Sequence, residues 1–186
     1  QLSATGQLLD NQNGEIRAVQ ADVSSRAFDN RAGKVETVEQ LEVFGETVRN
    51  QHGQLLSAQD IRIQTRQMDQ SGTVAAGRDL SLATQRDLLL TETVKSGRDA
   101  TLDTQGKLTN TADLAVGNQL QLNAVNVDNT AAGTIQAGQL VDLAATQTLS
   151  NRGLINSNGL TKIQAGQTLD NIGTGRIFGN HVAISA

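Results

Sequence analysis

Leu9-Asp10-Asn11-Gln12-Asn13-Gly14-Glu15-Ile16-Arg17-Ala18 begins a pattern that recurs to the end of the chain. An apolar residue stands two places before an Asn, a turn bearing a Gly follows, and an apolar anchor at Ile16 opens an alternating segment. The triplet returns at Phe28-Asp29-Asn30, Val48-Arg49-Asn50, Leu108-Thr109-Asn110, Val127-Asp128-Asn129, Leu149-Ser150-Asn151 and Leu169-Asp170-Asn171. Met68-Asp69-Gln70 and Leu88-Leu89-Leu90 occupy the same phase without the Asn, so the copies follow one another at intervals of 19 to 22 residues.

The anchors after each turn are Ile16, Val35, Leu55, Val74, Val94, Leu114, Ile135, Ile155 and Ile177. A third segment alternates apolar and polar residues with period two, as in Leu41-Glu42-Val43, Ile61-Arg62-Ile63 and Leu120-Gln121-Leu122. Period-two alternation marks strands with one buried face, and no window carries the spacing of a long amphipathic helix. Three short strands fit in each repeat. One such unit cannot bury its own inner faces, whereas stacked units share a continuous core. The pattern therefore predicts an all-β fold, a parallel β-helix (solenoid) of about nine coils with three short strands per coil. At about 4.8 Å per coil the rod is roughly 40 Å long.

Stacking makes residues about twenty apart neighbours, and the expected columns are chemically compatible. Glu15 meets Lys34, Arg17 meets Glu36, and Glu42 meets Arg62, each an opposite-charge cross-strand pair. The Asn positions form an internal ladder of Asn11, Asn30, Asn50, Asn110, Asn129, Asn151 and Asn171. Stacked amides donate and accept along the rod, and Asn tolerates left-handed turn conformations. Asn129 is expected to face inward and Asp128 outward. The coil starting at Leu88 lacks both the ladder Asn and the turn Gly, so a local irregularity is expected there.

Composition bounds the rest. Of 186 residues none is Cys, Pro, Trp or Tyr, and only three are Phe. The core must be aliphatic, and absent Pro suits strands that all donate hydrogen bonds to neighbouring coils. Net charge is −4 with dispersed Lys and Arg, which leaves no basic footprint and no stacking platform for nucleic acid. No apolar run exceeds three residues, as at Leu88–Leu90, which is far too short to insert in a membrane. The repeat starts and stops in mid-pattern, so residues 1–186 are expected to be a single β-helix segment cut from a longer chain.

The repeat Leu9–Ala18, with later versions such as Val74-Ala75-Ala76-Gly77-Arg78-Asp79-Leu80-Ser81-Leu82, resembles the roughly twenty-residue repeats of filamentous haemagglutinins and of contact-dependent growth inhibition exoproteins. The resemblance runs from Leu9 to Ile184. It implies a right-handed parallel β-helix in a very long bacterial protein, passed through an outer-membrane two-partner transporter and secreted or held at the cell surface. Such proteins are adhesins contributing to virulence, or stalks that carry a toxin. A shaft is the first expectation, and a module that binds a target-cell receptor or glycan is the second.

No catalytic, cofactor or metal site is implied. Asp10, Asp29, Arg49 and Asp69 stack on one outward column, where adjacent carboxylates about 5 Å apart would match a retaining glycosidase. Interleaved Arg makes a surface charge ladder the better expectation. His52 and His181 lie far apart in sequence, and metal sites need clustered ligands. Gly173-Thr174-Gly175-Arg176 lacks the Lys and Ser/Thr ending of a phosphate loop. Gly77-Arg78-Asp79 and Gly97-Arg98-Asp99 are one turn position occurring twice. Leu89, Leu154 and Phe178 fall on outward positions and are candidate contact residues.

Overall fold

The structure, a computed structural model describing residues 1–186, is all strand and turn without helix. Twenty strands join in one parallel stack of about nine coils, and the pairings continue from Leu2–Asp10 to His181–Ser185. Each coil turns through three faces. The nine anchors stack in register on the first face, from Ile16 beside Val35 to Ile155 beside Ile177. The second face stacks the alternating segments, with Val43 between Val23 and Ile63. The third stacks the triplets, with Leu108 between Leu88 and Val127.

Side chains alternate in and out along every strand, and the inward ones make a single aliphatic core. Leu41, Leu55, Ile63, Leu82, Leu102 and Leu122 are wholly buried. Phe28 is the one aromatic ring that joins them. The close-packed interior is thin, so each aliphatic residue touches its equivalents in the coils above and below as well as the opposite faces.

The expectation of three short strands in every coil needs correction. Residues 73–90 do form three, at Thr73–Ala76, Leu80–Thr84 and Leu88–Leu90. In the first coils single strands of 15 and 16 residues, Glu15–Asp29 and Lys34–Arg49, run through all three faces. The difference lies at the corner after the first face. Later coils place Gly77, Gly97 and Gly117 there, and a Cβ added to Gly97 would collide with the carbonyl oxygen of Gly77. The first coils have Val19 and Val38 instead, and the register shifts between Ala18 and Gln20. A bulge absorbs the corner, the strand continues, and both valines are exposed.

Candidate functional site

The buried amides form two ladders. Asn11 Nδ2 donates to Asn30 Oδ1 at 2.7 Å, and Asn30 to Asn50 at 2.6 Å. Further along, Asn110 donates to Asn129 at 2.9 Å, Asn129 to Asn151 at 2.8 Å, and Asn151 to Asn171 at 2.7 Å. The second hydrogen of each donor reaches the carbonyl of the first strand residue after the turn in the next coil, as from Asn129 to Leu154 O at 3.1 Å. Asn30, Asn50, Asn110, Asn129 and Asn151 are wholly buried, whereas Asn171 in the penultimate coil is exposed.

Between the ladders, at the expected irregularity, hydroxyls replace amides. Asn50 Nδ2 donates to Ser71 O at 2.5 Å, Ser71 Oγ accepts from Thr91 N at 3.3 Å, and Thr111 Oγ1 donates to Leu90 O at 2.8 Å. Leu90 itself joins the core. The left-handed positions are not the ladder residues. They fall two places later, at Asn13, Ala32 and His52, with φ of 55°, 51° and 54°.

The charge columns obey the register. Lys34 lies between Glu15 at 3.9 Å and Glu36 at 2.8 Å, and Arg17 reaches Glu36 at 3.4 Å. Glu42 and Arg62 are stacked, but the Arg62 guanidinium lies over the Phe44 ring, 5.7 Å from its centroid. Arg78 pairs with Asp60 at 2.5 Å, and Arg98 with Asp79. Thus Gly-Arg-Asp, occurring twice, builds a corner ladder in which each Arg holds an Asp of the preceding coil.

Asp29 departs from its expected outward exposure, with a side chain only 4% exposed. Arg31 binds it at 2.7 Å and Arg49 stands at 3.8 Å. The Arg31 hydrogen bond, against the effect of burial, holds the Asp29 carboxyl below its ordinary range. A carboxylate so committed is a poor proton donor, which disfavours general-acid chemistry on the Asp10–Asp29 column. Asp128 is also more enclosed than expected, 17% exposed and bound by Lys107 at 2.9 Å and Arg152 at 2.6 Å. Burial pushes its carboxyl up, but the two cations outweigh that effect and its pKa is lowered.

His52 is exposed but not alone: Nδ1 lies 2.9 Å from Glu92 Oε1, while Thr73 donates to Glu92 Oε2 at 3.0 Å. The partners are two coils apart because the turn at Gln70–Gly72, one residue shorter than that at Asn50–Gly53, leaves room between them. His181 is exposed in the last coil. No group of three or more His, Cys, Asp or Glu gathers to hold a metal ion. Gly173 and Gly175 sit in a turn, with φ of 60° at Gly173.

Leu89 lies half-buried on the third face, whereas Leu154, half-buried, and Phe178, exposed, lie on the first. The three do not meet. Sequence reading passed over a groove at the corner between the second and third faces, lined among others by Phe44, Gln64, Arg66, Gln85 and Gln105. Its signal is Thr65-Arg66, Thr84-Gln85 and Thr104-Gln105, a Thr followed by a long polar residue once per coil.

The family model for the haemagglutinin repeat matches residues 1–112 and 114–173. No curated protein and no solved structure matches the chain. The matched residues cover the anchors from Ile16 to Ile155, both Asn ladders and the charge columns, and the chain belongs to the haemagglutinin repeat family.

Proposed function

We propose that this chain is a rigid, non-catalytic shaft of a large bacterial exoprotein exported by two-partner secretion, displayed outside the cell and holding an adhesive or toxic element away from it. The observation that carries this reading is the continuity of the stack: every repeat adds one coil in register, from the first strand to the last. Length then scales with repeat number, which is what a spacer requires. Two interior amide ladders, with the Ser71 and Thr111 hydroxyls between them, tie neighbouring coils together, and most outward cations are held by carboxylates of the same or a neighbouring coil. The family is associated with extracellular adhesin-type repeats, and the lack of Cys suits a chain that crosses an envelope unfolded and closes coil by coil on arrival.

The test is replacement within the full-length protein. Substituting an unrelated β-solenoid with the same number of coils should preserve adhesion or toxin delivery, and a flexible Gly/Ser linker of equal residue number should abolish it. Loss of function with the foreign solenoid would reject the shaft and favour a receptor-binding module.

A further inference from the structure

Polar side chains on this rod divide into two groups. One is satisfied within the chain, as in Arg26–Glu46 at 3.1 Å and Lys162–Asp142 at 3.2 Å. The other has no side-chain hydrogen bond or ion pair, and five of its members, Gln64, Arg66, Gln85, Asp103 and Gln105, converge on one groove of about 550 Å³.

The groove follows the corner between the second and third faces across four coils. Its floor is built on inward-pointing Thr65 and Thr84, both buried. Thr65 Oγ1 donates to Gln67 O at 3.1 Å and Thr84 Oγ1 to Arg86 O at 2.8 Å, so the floor is fixed from within. Residues on either side of an inward residue point outward. One wall is therefore the register column Phe44, Gln64, Ala83 and Asp103. The other is Glu46, Arg66, Gln85 and Gln105. Ala83 is the shortest member of its column and opens the wall between Gln64 and Asp103. At one end stands the half-buried Phe44 ring, backed by Arg62.

This lining selects a chemistry. Carboxamides donate and accept at once, a guanidinium only donates and a carboxylate only accepts. Such a mixture complements neighbouring hydroxyls, each of which is donor and acceptor. Arg66 and Asp103 offset one another and Glu46 is neutralised by Arg26, so the groove offers no excess cation to a phosphate or sulfate chain. An added peptide strand finds no free backbone there either, since Gln85 N donates to Arg66 O and Gln105 N to Thr84 O. Gln85 and Gln105 hold the same position in adjacent coils, about 4.8 Å apart, and Gln64 faces them from the opposite wall. That step is close to the advance of one unit in an extended sugar chain, and an aromatic ring at the end offers an apolar face to a pyranose.

We infer that this groove binds an uncharged linear oligosaccharide lying along the rod, one sugar unit per coil from Phe44 to Gln105. The inference is independent of the shaft proposal, because a shaft with a bare groove is still a shaft. The test is a titration of the isotope-labelled chain with cellotetraose, chitotetraose and laminaritetraose, with a sulfated heparin tetrasaccharide for comparison. At least one uncharged tetrasaccharide should shift the side-chain amide signals of Gln64, Gln85 and Gln105 saturably, with a dissociation constant of about 1 mM or below. Ala83→Arg, which fills the gap, and Gln64→Ala/Gln85→Ala/Gln105→Ala, which removes outward amides alone, should each weaken binding at least about tenfold, with circular dichroism unchanged. Absence of these shifts with all three uncharged sugars, binding of the sulfated sugar alone, or undiminished binding by the well-folded triple variant would overturn the inference.

Discussion

Asn129 Nδ2 lies 2.8 Å from Asn151 Oδ1, a bond that crosses 22 residues of sequence and a single coil of the rod. Asn129 also accepts from Asn110 at 2.9 Å and donates to Leu154 O at 3.1 Å, so one buried amide joins three coils. Asn129→Ala leaves an amide oxygen, an amide hydrogen and a carbonyl in a dry interior without partners. The expected loss of stability is about 1–3 kcal/mol, read as a lowered midpoint in urea. Asn171→Ala is expected to cost less than half as much, because Asn171 ends the ladder and is exposed. Equal losses at the two positions would count against a buried ladder as the source.

Asp128 is the outward neighbour of Asn129, yet Lys107 and Arg152 enclose it. Asp128→Ala should therefore cost about 1–2 kcal/mol, the scale of a partly buried charge-assisted bond. Asp170→Ala, at the equivalent exposed position two coils on, should stay within about 0.5 kcal/mol. Measured side by side, the two substitutions separate enclosure from mere position in the repeat.

The acid limb of stability follows from the same pairs. Folding lowers the carboxyls of Asp29 through Arg31, of Asp79 through Arg98, and of Asp128 through Lys107 and Arg152 against burial, all from an ordinary value of 3.8. A carboxyl with a lowered folded pKa adds stability that is complete above its unfolded pKa and is lost as pH falls through the folded one. Stability should thus be flat between about pH 5 and pH 7 and decline below about pH 4. Asp29→Asn should reduce the steepness of that decline in denaturant titrations.

Ala32 occupies a left-handed turn position, φ 51°, that Asn13 fills one coil earlier and His52 one coil later. A Cβ in this region crowds the following carbonyl by roughly 1–2 kcal/mol, and Asn tolerates it better than Ala. Ala32→Asn should raise stability by about 0.5–1 kcal/mol, seen as a higher melting temperature. A decrease would show that the Ala32 methyl packs usefully.

The core and stacking order were legible because they rest on a period of two within strands and of about twenty between coils. All nine anchors from Ile16 to Ile177 fall in one inward column. The chemistry of surfaces was less legible. Whether Asp29 is exposed depends on how Arg31 folds back over it, and whether His52 has a partner two coils away depends on the turn in the intervening coil being one residue short. The corner groove escaped notice because its polar residues are ordinary individually, and they line a depression only once stacking brings them together beside the short side chain of Ala83.

Leu89, Leu154 and Phe178 supply the final prediction. All three are outward, but Leu89 is on the third face while Leu154 and Phe178 are on the first, and Leu154 pairs in register with Arg176 rather than Phe178. Interface energy comes from clustered anchors in desolvated pockets, and side chains on different faces cannot enter the same pocket. The full-length protein carrying Leu89→Ser, Leu154→Ser and Phe178→Ser should adhere to target cells within about twofold of the unaltered protein, with unchanged circular dichroism. Each Ser replaces an outward side chain, so the core and ladders stay intact. A loss of adhesion beyond about tenfold with the fold preserved would mean that at least one of these residues anchors a partner. Restoring Leu89, Leu154 and Phe178 one at a time would then identify the face that partner uses.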